Sequence, residues 1–179
     1  MCEICNGENP DELFERYREQ VEAVGWVVIA VGYGDDYGGD LPHMYTIGLN
    51  ETFGHPELVT VGVDLPMAHH LIDVVAHWVA EGEHLAAGDR FTHHDDLIRV
   101  RAVHPSRFRA TSLLNAWKGY YERYGSEPER RAVQLVWPRE LFCSCHRQPD
   151  LSLPAALTGR TGGPAHRPNR PKRRKAHRR

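Results

Sequence analysis

Apolar residues recur at helical spacing in three stretches of the chain. The first covers residues 10–24, between Asn9, a residue type that caps helix N-termini, and Gly25, a type that follows helix C-termini. The second covers residues 66–81 and the third about residues 112–124. We therefore predict one amphipathic helix over each of these ranges.

Six shorter apolar runs, rich in β-branched or aromatic residues, predict strands. They cover residues 26–33, 44–49, 58–63, 90–94, 97–104 and 132–137. Because most of these runs are adjacent in sequence, we predict a single α+β domain with a mixed, largely antiparallel sheet of about six strands and three helices. Residues 50–56 are predicted as a connection, and residues 31–63 leave room for a parallel crossover.

The charges are segregated between the body of the chain and its C-terminal end. All 24 Asp and Glu residues lie at or before Asp150, whereas nine of the 22 Lys and Arg residues follow it. The 13 basic and 24 acidic residues up to Asp150 give a net charge of −11, and the remainder carries +9. This predicts a globular domain over residues 1–150 and a disordered Pro/Arg/Lys-rich tail over residues 151–179.

The chain is expected in the cytoplasm, with no membrane partner. No apolar run approaches the roughly 20 residues that span a bilayer, and the N-terminus lacks the features of a signal peptide. In that compartment cysteines are more often reduced, metal-bound or redox-active than joined in disulfides.

The four cysteines form two close pairs at the two ends of the predicted domain. Cys2-x-x-Cys5 precedes the first helix, and Cys143-x-Cys145-His146 follows the last strand. Such an arrangement is typical of a structural Zn²⁺ site, because four thiolates suit tetrahedral zinc. We predict Cys2, Cys5, Cys143 and Cys145 as ligands, with His146 as a substitute for one cysteine. A redox pair and thiols without a role are the alternatives.

The end of the tail has the density of basic side chains that binds polyanions. Its candidate contacts are Arg170, Lys172, Arg173, Arg174, Lys175, Arg178 and Arg179. Lysine and arginine bind phosphates through counterion release, so nucleic acid is a candidate partner. Another polyanion, the acidic body itself, and a solvated tail without a partner are the alternatives.

A second candidate site lies around the predicted second and third strands. His43, Tyr45 and Thr46 lie at or near one strand, and His55 and Glu57 precede the other. If these strands pair, the five side chains gather at one end of the sheet and line a pocket for an unknown small molecule. The alternative is a structural turn in which Glu57 caps backbone amides.

Two further groups of histidines are interpreted as surface residues. His69, Asp73 and His77 share one face of the second predicted helix; such a face could bind a metal ion, but a solvated surface explains it without one. Residues 93–96 (His-His-Asp-Asp) are predicted to form the tip of a hairpin.

Four short segments together resemble a known family. They are Gly-Trp-Val-Val at 25–28, Tyr-Thr-Ile-Gly-Leu at 45–49, Gly-His-Pro-Glu-Leu at 54–58 and Gln-Leu-Val-Trp-Pro at 134–138. Their order and spacing resemble the bacterial family catalogued as domain of unknown function number 4262, over about residues 10–138. The resemblance implies the fold of the body and no activity. Members often end in an acidic, glycine-rich segment after Trp-Pro, where this chain has Cys143, Cys145 and His146 instead.

Two classes of function follow from these residues. The first is a non-catalytic binding or accessory domain with a structural zinc site. The second is an enzyme or a cofactor binder with the pocket near residues 43–57. The Tyr-Thr-Ile-Gly-Leu segment resembles flavin-binding split barrels at the level of fold alone.

Overall fold

The computed structural model describes residues 8–31, 42–110, 114–124, 131–138 and 148–154. In this part of the chain a six-stranded sheet has the order β1-β2-β3-β6-β5-β4. Its strands are β1 (Val27–Val31), β2 (His43–Ile47), β3 (Glu57–Val61), β4 (Arg90–His93), β5 (Asp96–Ala102) and β6 (Ala132–Val136). The α+β class is therefore confirmed.

The sheet is largely antiparallel. The pairs β1–β2, β2–β3, β4–β5 and β5–β6 are antiparallel, and β3 and β6 run parallel. The predicted mixed sheet is thus confirmed. The parallel pair does not lie within residues 31–63, where a crossover was considered, but joins β3 to the last strand.

Five helices occur in the described residues. They are α1 (Pro10–Val24), α2 (Leu49–Phe53), α3 (Leu65–Ala80), α4 (Arg107–Ala110) and α5 (Asn115–Tyr124). The three predicted helices correspond to α1, α3 and α5. The prediction of a plain connection over residues 50–56 was wrong, because α2 occupies most of it. Helices as short as α2 and α4 span little more than one turn, so they leave no periodic apolar pattern.

The two ends of α1 lie at the capping residues that the sequence predicts, Asn9 and Gly25. The Asn9 side chain accepts a hydrogen bond from the Asp11 amide at 3.0 Å. At the other end Gly25 has φ +95°, and its amide donates to the Val21 carbonyl at 2.8 Å. A Cβ atom at Gly25 would lie 2.6 Å from the Phe53 ring, so the glycine also allows α2 to pack against this turn.

Both faces of the sheet are covered by helices. One face packs against α1 and α5, and its buried residues include Phe14 and Trp117. The other face packs against α3, with Leu71 and Val75 in its core. Adjacent residues of a strand face opposite sides, so Tyr45 belongs to the first cluster and its neighbour in β2, Met44, belongs to the second.

The described chain after β6 resumes at Gln148 and contacts the sheet again. The Gln134 side chain accepts from the Leu151 amide at 3.0 Å and donates to the Pro149 carbonyl at 2.9 Å. Leu151 is buried in the cluster beneath α1 and α5. Residues 148–151 are therefore held against β6.

Among the residues that the structure describes, no helix has the length and apolar character needed to cross a membrane.

Candidate functional site

The end of β2 and the start of β3 share a buried hydrogen-bond network around the Glu57 carboxyl group. Thr46 Oγ1 donates to Glu57 Oε2 at 2.6 Å. The backbone amides of Gly48 and Asn50 donate to Glu57 Oε1 at 3.1 and 3.3 Å. Thr46 Oγ1 also accepts from the Leu58 amide at 2.9 Å. Two of the five predicted pocket residues, Thr46 and Glu57, are thus in direct contact.

This network fixes the turn between β2 and α2. Gly48 precedes α2 with φ +110°, and a Cβ atom there would lie 2.7 Å from the Gly25 carbonyl oxygen. Because Gly48 has no side chain to cap α2, Glu57 supplies an acceptor from farther along the chain. These bonds correspond to the alternative in which Glu57 caps backbone amides.

Burial dominates the electrostatics of this network. The side chains of Thr46 and Glu57 have no exposed surface. Removal from water raises the pKa of Glu57 to about 7, although the Thr46 hydroxyl and the amides of Asn50 and Gly48 act to lower it. Burial, followed by the nearby Glu57 charge, raises the pKa of the Tyr121 phenol on α5. Burial therefore favours the protonated form of this carboxyl group more than water would.

Tyr45 and His43 lie on β2 beside this network. The Tyr45 hydroxyl accepts from the Ala116 amide at 3.0 Å, which ties the first turn of α5 to the sheet. His43 stacks on Tyr45 with 6.1 Å between ring centroids. His43 begins β2 and lies about 10 Å along the strand from Thr46, given the rise of a strand per residue. The ring of His43 is therefore not part of the Glu57 network.

His55 belongs to a separate network. Its Nδ1 lies 2.6 Å from the Pro56 carbonyl oxygen, and its Nε2 accepts from the Leu85 amide at 3.1 Å. Since a carbonyl only accepts and an amide N–H only donates, this pair of bonds requires a neutral imidazole with the proton on Nδ1. Burial also lowers the pKa of His55. Its ring packs edge-on against His84 and links the start of β3 to the segment after α3.

Two open clefts on the described surface lie elsewhere. One, of about 510 Å³, is lined by residues that include Arg90, Arg99 and Arg101. The other, of about 410 Å³, is lined by residues that include Leu65 and His69. None of the five predicted pocket residues lines either cleft.

The predicted metal ligands and the basic tail lie outside the described residues. These positions are Cys2, Cys5, Cys143, Cys145, His146 and all seven candidate basic residues from Arg170 to Arg179. The zinc site and the polyanion contact therefore stay predictions.

The structure brings together three histidines from two separate segments of the chain. His70 lies on α3, and His93 and His94 lie at the tip of the β4–β5 hairpin. One nitrogen atom from each ring lies within 4.8 Å of the other two. The predicted hairpin tip is confirmed, but its contact with α3 was missed. The repeated histidines at 69–70 and 93–94 were the available signal, and the sequence did not show that these segments meet.

Residues 20–141 match the model of the family described as Domain of unknown function (DUF4262). The match confirms the family resemblance of the four short segments. Comparisons with curated proteins and with solved structures give no match.

Proposed function

We propose that this chain, which belongs to the DUF4262 family, is a non-catalytic binding or accessory domain with a structural zinc site built from its four cysteines. The observation that carries the proposal is that the Glu57 carboxyl group binds only to other groups of the chain in the residues that the structure describes. Both of its carboxyl oxygens accept hydrogen bonds from the chain itself, and no surface of the residue is exposed. A carboxyl group held in this way supports the fold, since a general acid or base must reach a substrate.

Support for a zinc site at Cys143 and Cys145 comes from the described residues on either side of them. Before them, the Trp137 indole N–H donates to Asp96 at 3.2 Å. After them, the Gln148 side chain donates to the Leu135 carbonyl at 3.3 Å. Residues 139–147 thus connect two points that are both fixed near the end of β6. Fixing both ends of a short segment reduces the entropy lost when its cysteines bind a metal ion.

The zinc proposal predicts a change in metal content. The Cys143→Ser, Cys145→Ser double variant is expected to lose about one zinc ion per chain and to melt at a lower temperature, because structural zinc contributes to folding free energy. Elemental analysis of tag-free protein, kept reduced throughout, measures the first effect, and thermal unfolding measures the second. Ser144→Ala, between the two cysteines, is the matched control and should keep its zinc. A double variant with the metal content of the unmodified protein would contradict the cysteine site.

The proposal includes a contact between the tail and a polyanion. Replacement of the seven basic residues from Arg170 to Arg179 with glutamine is expected to abolish salt-sensitive binding of a DNA oligonucleotide by the full chain. Titration at two salt concentrations measures this binding. Residues 1–150 carry a net charge of −11, so this part of the chain is expected to repel DNA in both proteins. Equal binding by the two proteins, or no binding by either, would contradict a nucleic-acid role for the tail.

A second candidate function is a cofactor-binding, flavin-like protein or another enzyme with a pocket near the Glu57 network. The observation that favours it is the pKa of Glu57, about 7, a value suited to acid–base chemistry at neutral pH. Visible absorbance of the purified protein, or a ligand whose binding Glu57→Gln abolishes, would establish this function in place of the first.

A further inference from the structure

The three histidines at the hairpin tip lie at distances that suit a metal ion. His70 Nε2 lies 3.3 Å from His94 Nε2. Two imidazole nitrogens bound to tetrahedral zinc at about 2.0–2.1 Å are separated by roughly 3.3 Å, so these two atoms already have the spacing of ligands. The His93 ring centroid lies 5.2 Å from that of His70 and 4.4 Å from that of His94. All three nitrogens fall within 4.8 Å of one another, so the His93 ring lies close to the position of a third ligand.

We propose that His70, His93 and His94 form a binding site for a divalent transition metal ion, with Zn²⁺ as the ion to test first. Imidazole is a ligand of intermediate softness that suits zinc, copper and nickel and does not suit Mg²⁺ or Ca²⁺. Three protein ligands leave one tetrahedral position open for water or an external group. This site differs in its ligands and in its place in the fold from the proposed cysteine site.

The fold holds the three rings in position before any metal binds. The hairpin is attached to α3 by Phe91 and Trp78, whose rings pack edge-on at 5.3 Å between centroids. His93 packs edge-on against Trp137, at 6.3 Å between centroids, and Trp137 is itself buried. Binding therefore requires little ordering of the side chains, which favours affinity.

The turn explains how two consecutive residues can both be ligands. In an extended strand, neighbouring side chains point to opposite faces. Here His94 and Asp95 have φ values of +47° and +70°, the backbone of a two-residue hairpin turn. The change of direction after His93 places the rings of His93 and His94 side by side.

A hydrogen bond between His70 and His94 with no metal involved is the competing explanation of their 3.3 Å separation.

Zinc titration of the full-length, reduced protein, with any cysteine-bound zinc left in place, tests the proposal. We expect His70→Ala and His94→Ala to weaken zinc binding at the histidine site by at least about tenfold. His94→Asn is a third variant, since asparagine tolerates the positive φ of the turn but supplies no imidazole. It should lose zinc affinity to the same extent while melting at the temperature of the unmodified protein.

His69→Ala is the matched control, because His69 is the exposed neighbour of His70 on the same helix and lies outside the cluster. It should bind zinc as the unmodified protein does. Cobalt substitution separates the two proposed sites, since thiolate ligands give a charge-transfer band that imidazoles lack. Zinc affinity unchanged in His70→Ala and His94→Asn, or reduced equally in His69→Ala, would overturn the histidine site.

Discussion

Replacement of Glu57 with alanine is expected to lower the free energy of unfolding by about 3–5 kcal/mol. The substitution removes the acceptor of the Thr46 hydroxyl and of the Gly48 and Asn50 amides, in a site closed to solvent. A buried donor left without a partner costs about 1–3 kcal/mol, and the missing carboxyl group also leaves a cavity. Urea unfolding followed by circular dichroism measures the change.

Glu51→Ala is the matched control for this prediction. Glu51 lies on the neighbouring helix α2, is exposed, and accepts a long hydrogen bond of 3.4 Å from the Tyr120 hydroxyl. The control should lose less than about 1 kcal/mol, as surface substitutions do. Similar losses in the two variants would show that the Glu57 network does not hold the β2–α2 turn.

The Glu57 network also predicts a dependence of stability on pH. Burial raises the pKa of Glu57 from an ordinary value of 4.5 to about 7 in the folded chain. Between pH 4.5 and about 7, the carboxyl group is therefore protonated in the folded state and ionised in the unfolded state. The stability associated with the protonated carboxyl is complete below pH 4.5 and is lost as the pH rises through 7, by about 3 kcal/mol in total. In Glu57→Gln, which cannot titrate, this loss should disappear.

The comparison with Glu57→Gln is needed because other groups titrate in the same range. Burial lowers the pKa of His55, so the stability associated with its neutral ring is present above the ordinary pKa of 6.5 and is lost as the pH falls. Partial loss of contact with water also raises the pKa of Glu51, although the residue as a whole is exposed. Since both groups are present in both proteins, subtraction of the two unfolding curves from pH 4 to 8.5 isolates the contribution of Glu57.

The elements with strong local signals could be predicted from the sequence. For α1, the cap at Asn9, the apolar spacing and the stop at Gly25 all lie within the helix and its flanks. The hairpin tip at 93–96 was equally local, because a two-residue turn between strands is set by adjacent residues. In both cases the information that determines the structure lies within a few residues of it.

The role of Glu57 was predictable only as one of two alternatives. The sequence places Glu57 seven residues after Asn50, and nothing in that spacing shows whether the carboxyl faces a pocket or a backbone amide. The answer depends on the antiparallel register of β2 and β3, in which Tyr45 lies opposite Val59. That register brings Thr46 and the turn at Gly48 next to the start of β3. The acceptor for the first amides of α2 also comes from Glu57, in the next strand. The residues that flank α2 therefore contain no capping signal for this helix.

The histidine cluster could not be predicted, because it depends on packing between distant segments. His70 and His94 are 24 residues apart and lie on a helix and on a turn of the sheet's edge hairpin. Helical periodicity groups His69 with Asp73 and His77 on one face of α3, and it does not include His70 in this group. Only the contact of the hairpin with α3, through Phe91 and Trp78, shows which histidine meets the turn.

The central claim is that Glu57 is a buried structural carboxyl group, and its own titration tests this most directly. In protein labelled with ¹³C at the glutamate side-chain carboxyls, the Glu57 signal is the one missing from the Glu57→Gln spectrum. We predict that it titrates with a midpoint near pH 7, well above an ordinary glutamate. A midpoint near 4.5 would contradict the account, because it would mean that burial does not raise the pKa of this carboxyl group.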